Sequence, residues 1–282
     1  MMKFYIGTGG VPVGSPERST IGGVKYIAEL GLNAMEIEFV RGVKMSVGMA
    51  KEVGEVASKL NVKLSVHAPY YVNLCSPDKS KVEASKKRIL ESVERAYYMN
   101  ASPVVFHPGY YGKLSKEECF ELVKQACLEM VDEIKSNGWE KVILGLETTG
   151  KIAQFGTLDE NLRIMKEVKG ATVVVDWAHI YARNSGRINF KEILDILERF
   201  KIRHLHTHFS GMEFSPVGVT GKGNERRHLN LTEGAKPDYK PLVDELPNRK
   251  FESITFISES PNLEGDALWL KARLEKAFKI YQ

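Results

Sequence analysis

The feature that most narrows what this chain can fold into is a series of eight short β-branched and apolar runs, separated by segments of helical period, nearly all of which end in a histidine or an acid. The runs cover residues 4–7, 34–39, 63–67, 104–107, 142–147, 172–176, 204–208 and 254–259. Strand and helix alternating at this spacing is the pattern of parallel β/α units, and eight units close a barrel. The expected fold is α/β, a (β/α)8 (TIM) barrel. With 282 residues and no linker or low-complexity stretch, a single domain over 1–282 is expected. The intervening segments carry apolar stripes that can cover a barrel wall: Ile193, Leu194 and Leu197; Leu122, Cys127, Met130, Val131 and Ile134; Ile89, Val93 and Tyr97; and Leu270, Leu274 and Phe278.

Composition sets outer bounds. The chain is 43% hydrophobic and 27% charged, ordinary globular material. Its net charge of +4 permits a nucleic-acid partner without demanding one. Cys75, Cys119 and Cys127 form no C-x-x-C pair and read as reduced thiols, Cys127 as a core residue. No signal-peptide pattern opens the chain and no run of about 18 apolar residues occurs, so a cytoplasmic location is expected.

The unusual residues sit where a barrel would gather them. His67, His107, Glu147, Asp176 and Glu259 each close an apolar run, and the strand ends of such a barrel share one face. Carboxylates buried after Leu-Gly-Leu and Val-Val-Val would cost several kcal/mol each without counter-charge. Imidazole with carboxylate suits zinc, manganese or iron. His179 follows Asp176 by three residues and adds a second point of attachment. In His204-Leu-His206-Thr-His208 the period of two sends all three rings to one side. His206 is the expected ligand, with His208 nearer the mouth and His204 deeper. One zinc needs three or four protein ligands, whereas His67, His107, Glu147, Asp176, His179, His206, His228 and Glu259 make eight candidates. Two or three ions fit that number better than one.

These residues resemble a family, endonuclease IV (apurinic/apyrimidinic endonuclease family 2) within the xylose-isomerase-like barrels. The carrying segments are His67-Ala-Pro-Tyr70-Tyr71-Val-Asn73-Leu74, Phe106-His107-Pro108-Gly109, Gly145-Leu146-Glu147-Thr148, Val175-Asp176-Trp-Ala-His179, His206-Thr-His-Phe-Ser210-Gly211 and Glu259-Ser260-Pro261-Asn262. The resemblance implies zinc held by His67 and His107, bridged through Glu147 to a second ion on Asp176, His206 and Glu259, with His179 and His228 on a third. It also implies that Tyr70 and Tyr71 press into damaged double-stranded DNA, that a metal-activated hydroxide cuts the backbone 5′ of an abasic site, and that the protein is a monomer. The family writes Asp-Arg-His at the third ion, whereas this chain has Glu225-Arg226-Arg227-His228. Arginine cannot be a ligand, so Glu225, three residues before His228, is the candidate to replace it; His208, from the alternating histidines, is a further candidate as a ligand or beside one.

In this reading Glu147 is the central catalytic ligand, manganese is an alternative to zinc, and Lys222, Arg226 and Arg227 contact DNA phosphates. No G-x-S-x-G or paired Cys/His nucleophile competes with it. The alternative on the same barrel is a sugar isomerase or epimerase, with Glu147, Asp176, His206 and Glu259 around one manganese or cobalt ion. A third reading is a binding protein with a degraded site, suggested by Arg226.

Overall fold

The computed structural model describes residues 2–278; Met1 and residues 279–282 lie outside the described part of the expected domain. Eight parallel strands close into a barrel: β1 Lys3–Gly9, β2 Ala34–Glu38, β3 Lys63–His67, β4 Val104–Phe106, β5 Leu144–Glu147, β6 Ala171–Asp176, β7 His204–Phe209 and β8 Ser253–Ser258. Each pairs with its neighbour in sequence, and β8 returns to β1. All eight expected runs are strands. Their ends move by one or two residues: Val142 precedes its strand, and His107 stands one residue past the end of β4.

The helices pack apolar stripes on the outside of this wall. Ile193, Leu194 and Leu197 of Phe190–Arg199 are buried, as are Ile89 and Val93 of Lys79–Met99 and Leu270 and Leu274 of Leu263–Ala277. Cys127 is fully buried in Lys116–Ser136, and all three cysteines are free thiols. Helix starts are fixed locally. Ser115 and Glu118 form a reciprocal capping box, as do Thr157 and Glu160, each an interaction of about 1 kcal/mol. Among the described residues no helix is long and apolar enough to cross a membrane.

Both faces of a parallel barrel strand are covered, one by helices and one by the other strands, so a charged residue within a strand has no solvent face to use. Inward positions recur every second residue. Register then decides which of them share a level: Glu36 pairs with Ser65 and Glu38 with His67, while Asp176 pairs with His208 and Val174 with His206. Beside the mouth, Gly211–Pro216 and Gly223–Leu229 form an antiparallel hairpin. Its register shifts between Glu213, opposite Arg227, and Phe214, opposite Glu225, which leaves Arg226 as the extra residue of a bulge.

Candidate metal centre

The strand ends deliver their acids and imidazoles to one place. Glu147, at the end of β5, is the hub: its Oε2 is 3.1 Å from His67 Nε2 and 2.8 Å from His107 Nε2. Its Oε1 is 3.1 Å from His208 Nδ1 and 3.3 Å from His179 Nδ1. His67 Nδ1 is 2.8 Å from the carbonyl of Ala68, so an N–H there donates outward and leaves Nε2 facing the centre. Asp176 caps the short helix Trp177–Arg183, accepting from the His179 amide through Oδ1, while Oδ2 is buried without a partner. His179 turns Nε2 toward Glu225 Oε2 at 3.1 Å. His228 accepts or donates through Nδ1 to Ser210 Oγ at 2.9 Å, its ring 5.6 Å from that of His179.

Among the described residues, two tight groups share Glu147. His67, His107 and Glu147 form one, and Glu147, Asp176, His208 and Glu259 form the other, each with ligand atoms within 4.8 Å of one another. His179, Glu225 and His228 adjoin these groups without forming one as tight. The donor chemistry fits divalent cations. Buried oxygens of Glu38 and Asp176 have no hydrogen-bond partner, and Glu225 Oε2 has only the His179 ring at 3.1 Å, an arrangement that is costly unless positive charge meets it.

Charge regulation says the same. Burial opposes ionisation of Glu147, yet His107 and His208 hold its carboxyl well below the usual range. Burial opposes charge on His67 as well, but the hydrogen bond to Glu147 and the charges of Glu38, Glu147 and Glu36 push it up to about 10. Glu259 is pushed up to about 8 by burial and then by Glu147, Asp176 and Glu38, against the pull of His208. Burial raises Glu38 to about 7, with Glu36 and Glu147 adding to it and His67 opposing. Acids that must hold protons until a cation arrives are what a crowded ligand set produces.

Against the sequence expectations, the structure gathers His67, His107, Glu147, Asp176, His179 and Glu259 in the centre, with His228 at its edge. His206 is not beside Asp176 and Glu259. It pairs with Val174, one level down, and it is His208, opposite Asp176, whose Nδ1 lies 3.2 Å from Glu259 Oε1. His204 is not a core residue: its side chain is 64% exposed at the other end of the barrel, against Ser253 and Glu252. Arg226 and Arg227 point away from the centre, to Ser215 and Glu213 on the hairpin's outer face. Lys222 lines a separate cleft of about 690 Å³ with Thr148, Arg183 and Arg187. Tyr70 and Tyr71 stand at the mouth, 55% and 68% exposed, the Tyr70 ring 5.5 Å from that of His67. Sequence reasoning missed Tyr110, also exposed, and above all Glu36 and Glu38 on β2.

A family model described as xylose isomerase-like TIM barrel matches residues 24–277. The chain belongs to this family. Among its relatives, an uncharacterized protein of Methanocaldococcus jannaschii, MJ0133, is 38% identical over 95% of this chain and 96% of its own. A probable endonuclease 4 of Mycoplasma mobile is 27% identical over 73% of this chain and 71% of its own. Two solved structures superpose equally well. Endonuclease IV from Thermus thermophilus gives a TM-score of 0.69 at 18% identity, covering 100% of both chains. A D-tagatose 3-epimerase-like protein gives 0.69 at 21% identity, covering 99% of this chain and 98% of its own. Backbone likeness thus supports the barrel of this family and does not divide endonucleases from epimerases. That division rests on side chains.

Proposed function

We propose that the protein is a metal-dependent phosphodiesterase of the endonuclease IV kind, acting on abasic sites in double-stranded DNA with two or three zinc ions. The observation that carries this reading is the double membership of Glu147, one carboxylate placed between a His67–His107 pair and an Asp176–His208–Glu259 trio. A single-ion isomerase needs only the second group and leaves His67 and His107 without employment. Bound divalent cations supply Lewis-acid charge to a phosphodiester and bring the pKa of water toward neutrality.

The chain's own residues do the rest. Glu147 ties the two groups together through separate oxygens. The carbonyl of Ala68 orients the ring of His67, and the carbonyl of Thr148, 2.9 Å from His179 Nδ1, leaves His179 Nε2 for Glu225. For a third ion we assign His179, His228 and Glu225. The bulge at Arg226 supports the last assignment. In a regular strand Glu225 and His228, three apart, would face opposite sides; the extra residue returns Glu225 to the inner side and puts two exposed arginines in succession. Tyr70, Tyr71 and Tyr110 offer aromatic faces to bases next to the lesion, and Lys222, Arg226 and Arg227 reach phosphates farther along the duplex.

The epimerase reading keeps one observation in its favour, that Glu147, Asp176, His208 and Glu259 suffice for one ion. Metal analysis combined with two assays separates the readings: nicking of a duplex with one abasic site, and turnover of a ketohexose panel. The nuclease reading expects two or three zinc per chain and nicking that collapses in Glu147→Gln and His107→Ala. One exchangeable manganese with sugar turnover would replace it by the epimerase, and binding of abasic DNA without cutting would leave only a binding protein.

A further inference from the structure

We propose that Glu36 is a positioning residue, holding the His208 ring so that its Nδ1 lone pair faces the metal centre, and that His206 and Ser65 in turn hold Glu36. The proposal rests on the metal-centre reading above and adds a layer beneath it.

An imidazole presents a lone pair from one nitrogen only when the proton sits on the other, and ligand histidines commonly give that proton to a carboxylate. His208 is fully buried with both nitrogens facing acids. Nδ1 looks up to Glu147 and Glu259, and Nε2 lies 2.8 Å from Glu36 Oε1. Neither Nε2 nor Oε1 makes a hydrogen bond elsewhere, so each is left to the other. The opposite oxygen of Glu36 is committed: Oε2 accepts from Ser65 Oγ at 2.7 Å and faces His206 Nε2 at 2.9 Å. With both oxygens assigned, Glu36 has a fixed orientation, and it passes that orientation to His208.

Energetics favour a role over a remnant. A glutamate with no exposed surface, in the middle of a barrel strand, costs several kcal/mol to bury and is retained only where donors surround it. Glu36 meets one donor from its neighbour β3 and two from β7, a strand that it does not pair with and that barrel closure brings to it. The arrangement also gives a purpose to the middle histidine of His204-Leu-His206-Thr-His208, which lies outside the two groups that share Glu147.

The test is a competitive zinc titration of the full chain, wild type against Glu36→Gln, repeated with cobalt to read ligand-field bands. Expected is a Glu36→Gln protein that reaches the wild-type number of ions at saturation, holds one of them about 10- to 100-fold more weakly, and shows shifted cobalt bands. Ser65→Ala, which removes one donor to the same carboxylate, should weaken the same ion by a smaller factor, and it carries the test if Glu36→Gln does not fold. Unchanged affinity and bands in whichever of the two folds overturn the proposal. So does an ion missing at saturation, since Glu36 would then be a ligand itself. A wild-type chain that takes up no divalent ion removes the metal-centre reading and this proposal with it, an outcome distinct from wild-type binding with an indifferent variant.

Discussion

Replacing Glu147 by glutamine keeps the shape of the hub and removes its charge. Four imidazole nitrogens lie between 2.8 and 3.3 Å from its two oxygens. At about 3 Å and an effective dielectric near 20, each contact with a charged ring is worth about 5 kcal/mol before desolvation is subtracted. The net loss is smaller, because rings such as His67, held up to about 10 by their acids, answer the loss by releasing protons. Removing one partner from a buried ionic cluster costs about 3–5 kcal/mol, and at about 2–3 °C per kcal/mol for a chain of this size the metal-free variant should melt roughly 10 °C lower. With zinc the loss compounds, since the same carboxylate belongs to both tight groups. The variant should bind fewer ions and gain much less melting temperature from zinc than the wild type does. Melting curves with chelator and with zinc, beside metal analysis of the same samples, read both effects. A Glu147→Gln protein with wild-type melting in chelator, the full zinc increment and the full complement of ions would refute the reasoning.

Three further outcomes follow from particular residues. Deleting Arg226 removes the bulge but leaves Glu225 two positions before His228 on the same strand face, so the ion count should stay at the wild-type value while Glu225→Gln lowers it; loss of an ion in the deletion would show that sharing the His228 face is not what places Glu225. Zinc uptake near pH 7.5 should release protons, because the metal-free chain holds Glu259 near 8 and His67 near 10. Those raised values contribute stability that is present at low pH and lost as pH rises from about 4.5 toward 8 for the acid and from about 6.5 toward 10 for the imidazole, so the zinc increment in melting temperature should grow from pH 6 to pH 8. Calorimetry in two buffers of different ionisation enthalpy measures the release, and a heat independent of buffer contradicts it. Tyr70→Ala and Tyr71→Ala should each weaken binding of abasic duplex by about 1–3 kcal/mol with ion content unchanged, which fluorescence anisotropy against an undamaged duplex would check.

How much of this was open to reading from the chain alone depends on whether the information is carried along a strand or across strands. The barrel was legible because eight apolar runs with polar ends state their own period and polarity, and the same ends named His67, His107, Glu147, Asp176 and Glu259. Glu36 and Glu38 were legible too and were overlooked. In Ala34-Met-Glu-Ile-Glu38 the acids alternate with apolar residues, and in a strand covered on both sides such acids can only point inward. The choice between His206 and His208 is different in kind. Period two puts both rings on one face, and only the pairing of His208 with Asp176 and of His206 with Val174 decides which one meets Glu147 and Glu259. Glu225 carries the lesson furthest. By alternation alone it lies on the wrong side of its strand and Arg226 on the right one; the correction comes from a residue that the opposite strand leaves unpaired, between Glu213 and Phe214. Motif spacing therefore fails as a guide wherever a strand has gained a bulge. The physical invariant is the face on which an acid emerges, so a chain with Glu-x-x-His can present the same donors as one with Asp-x-His.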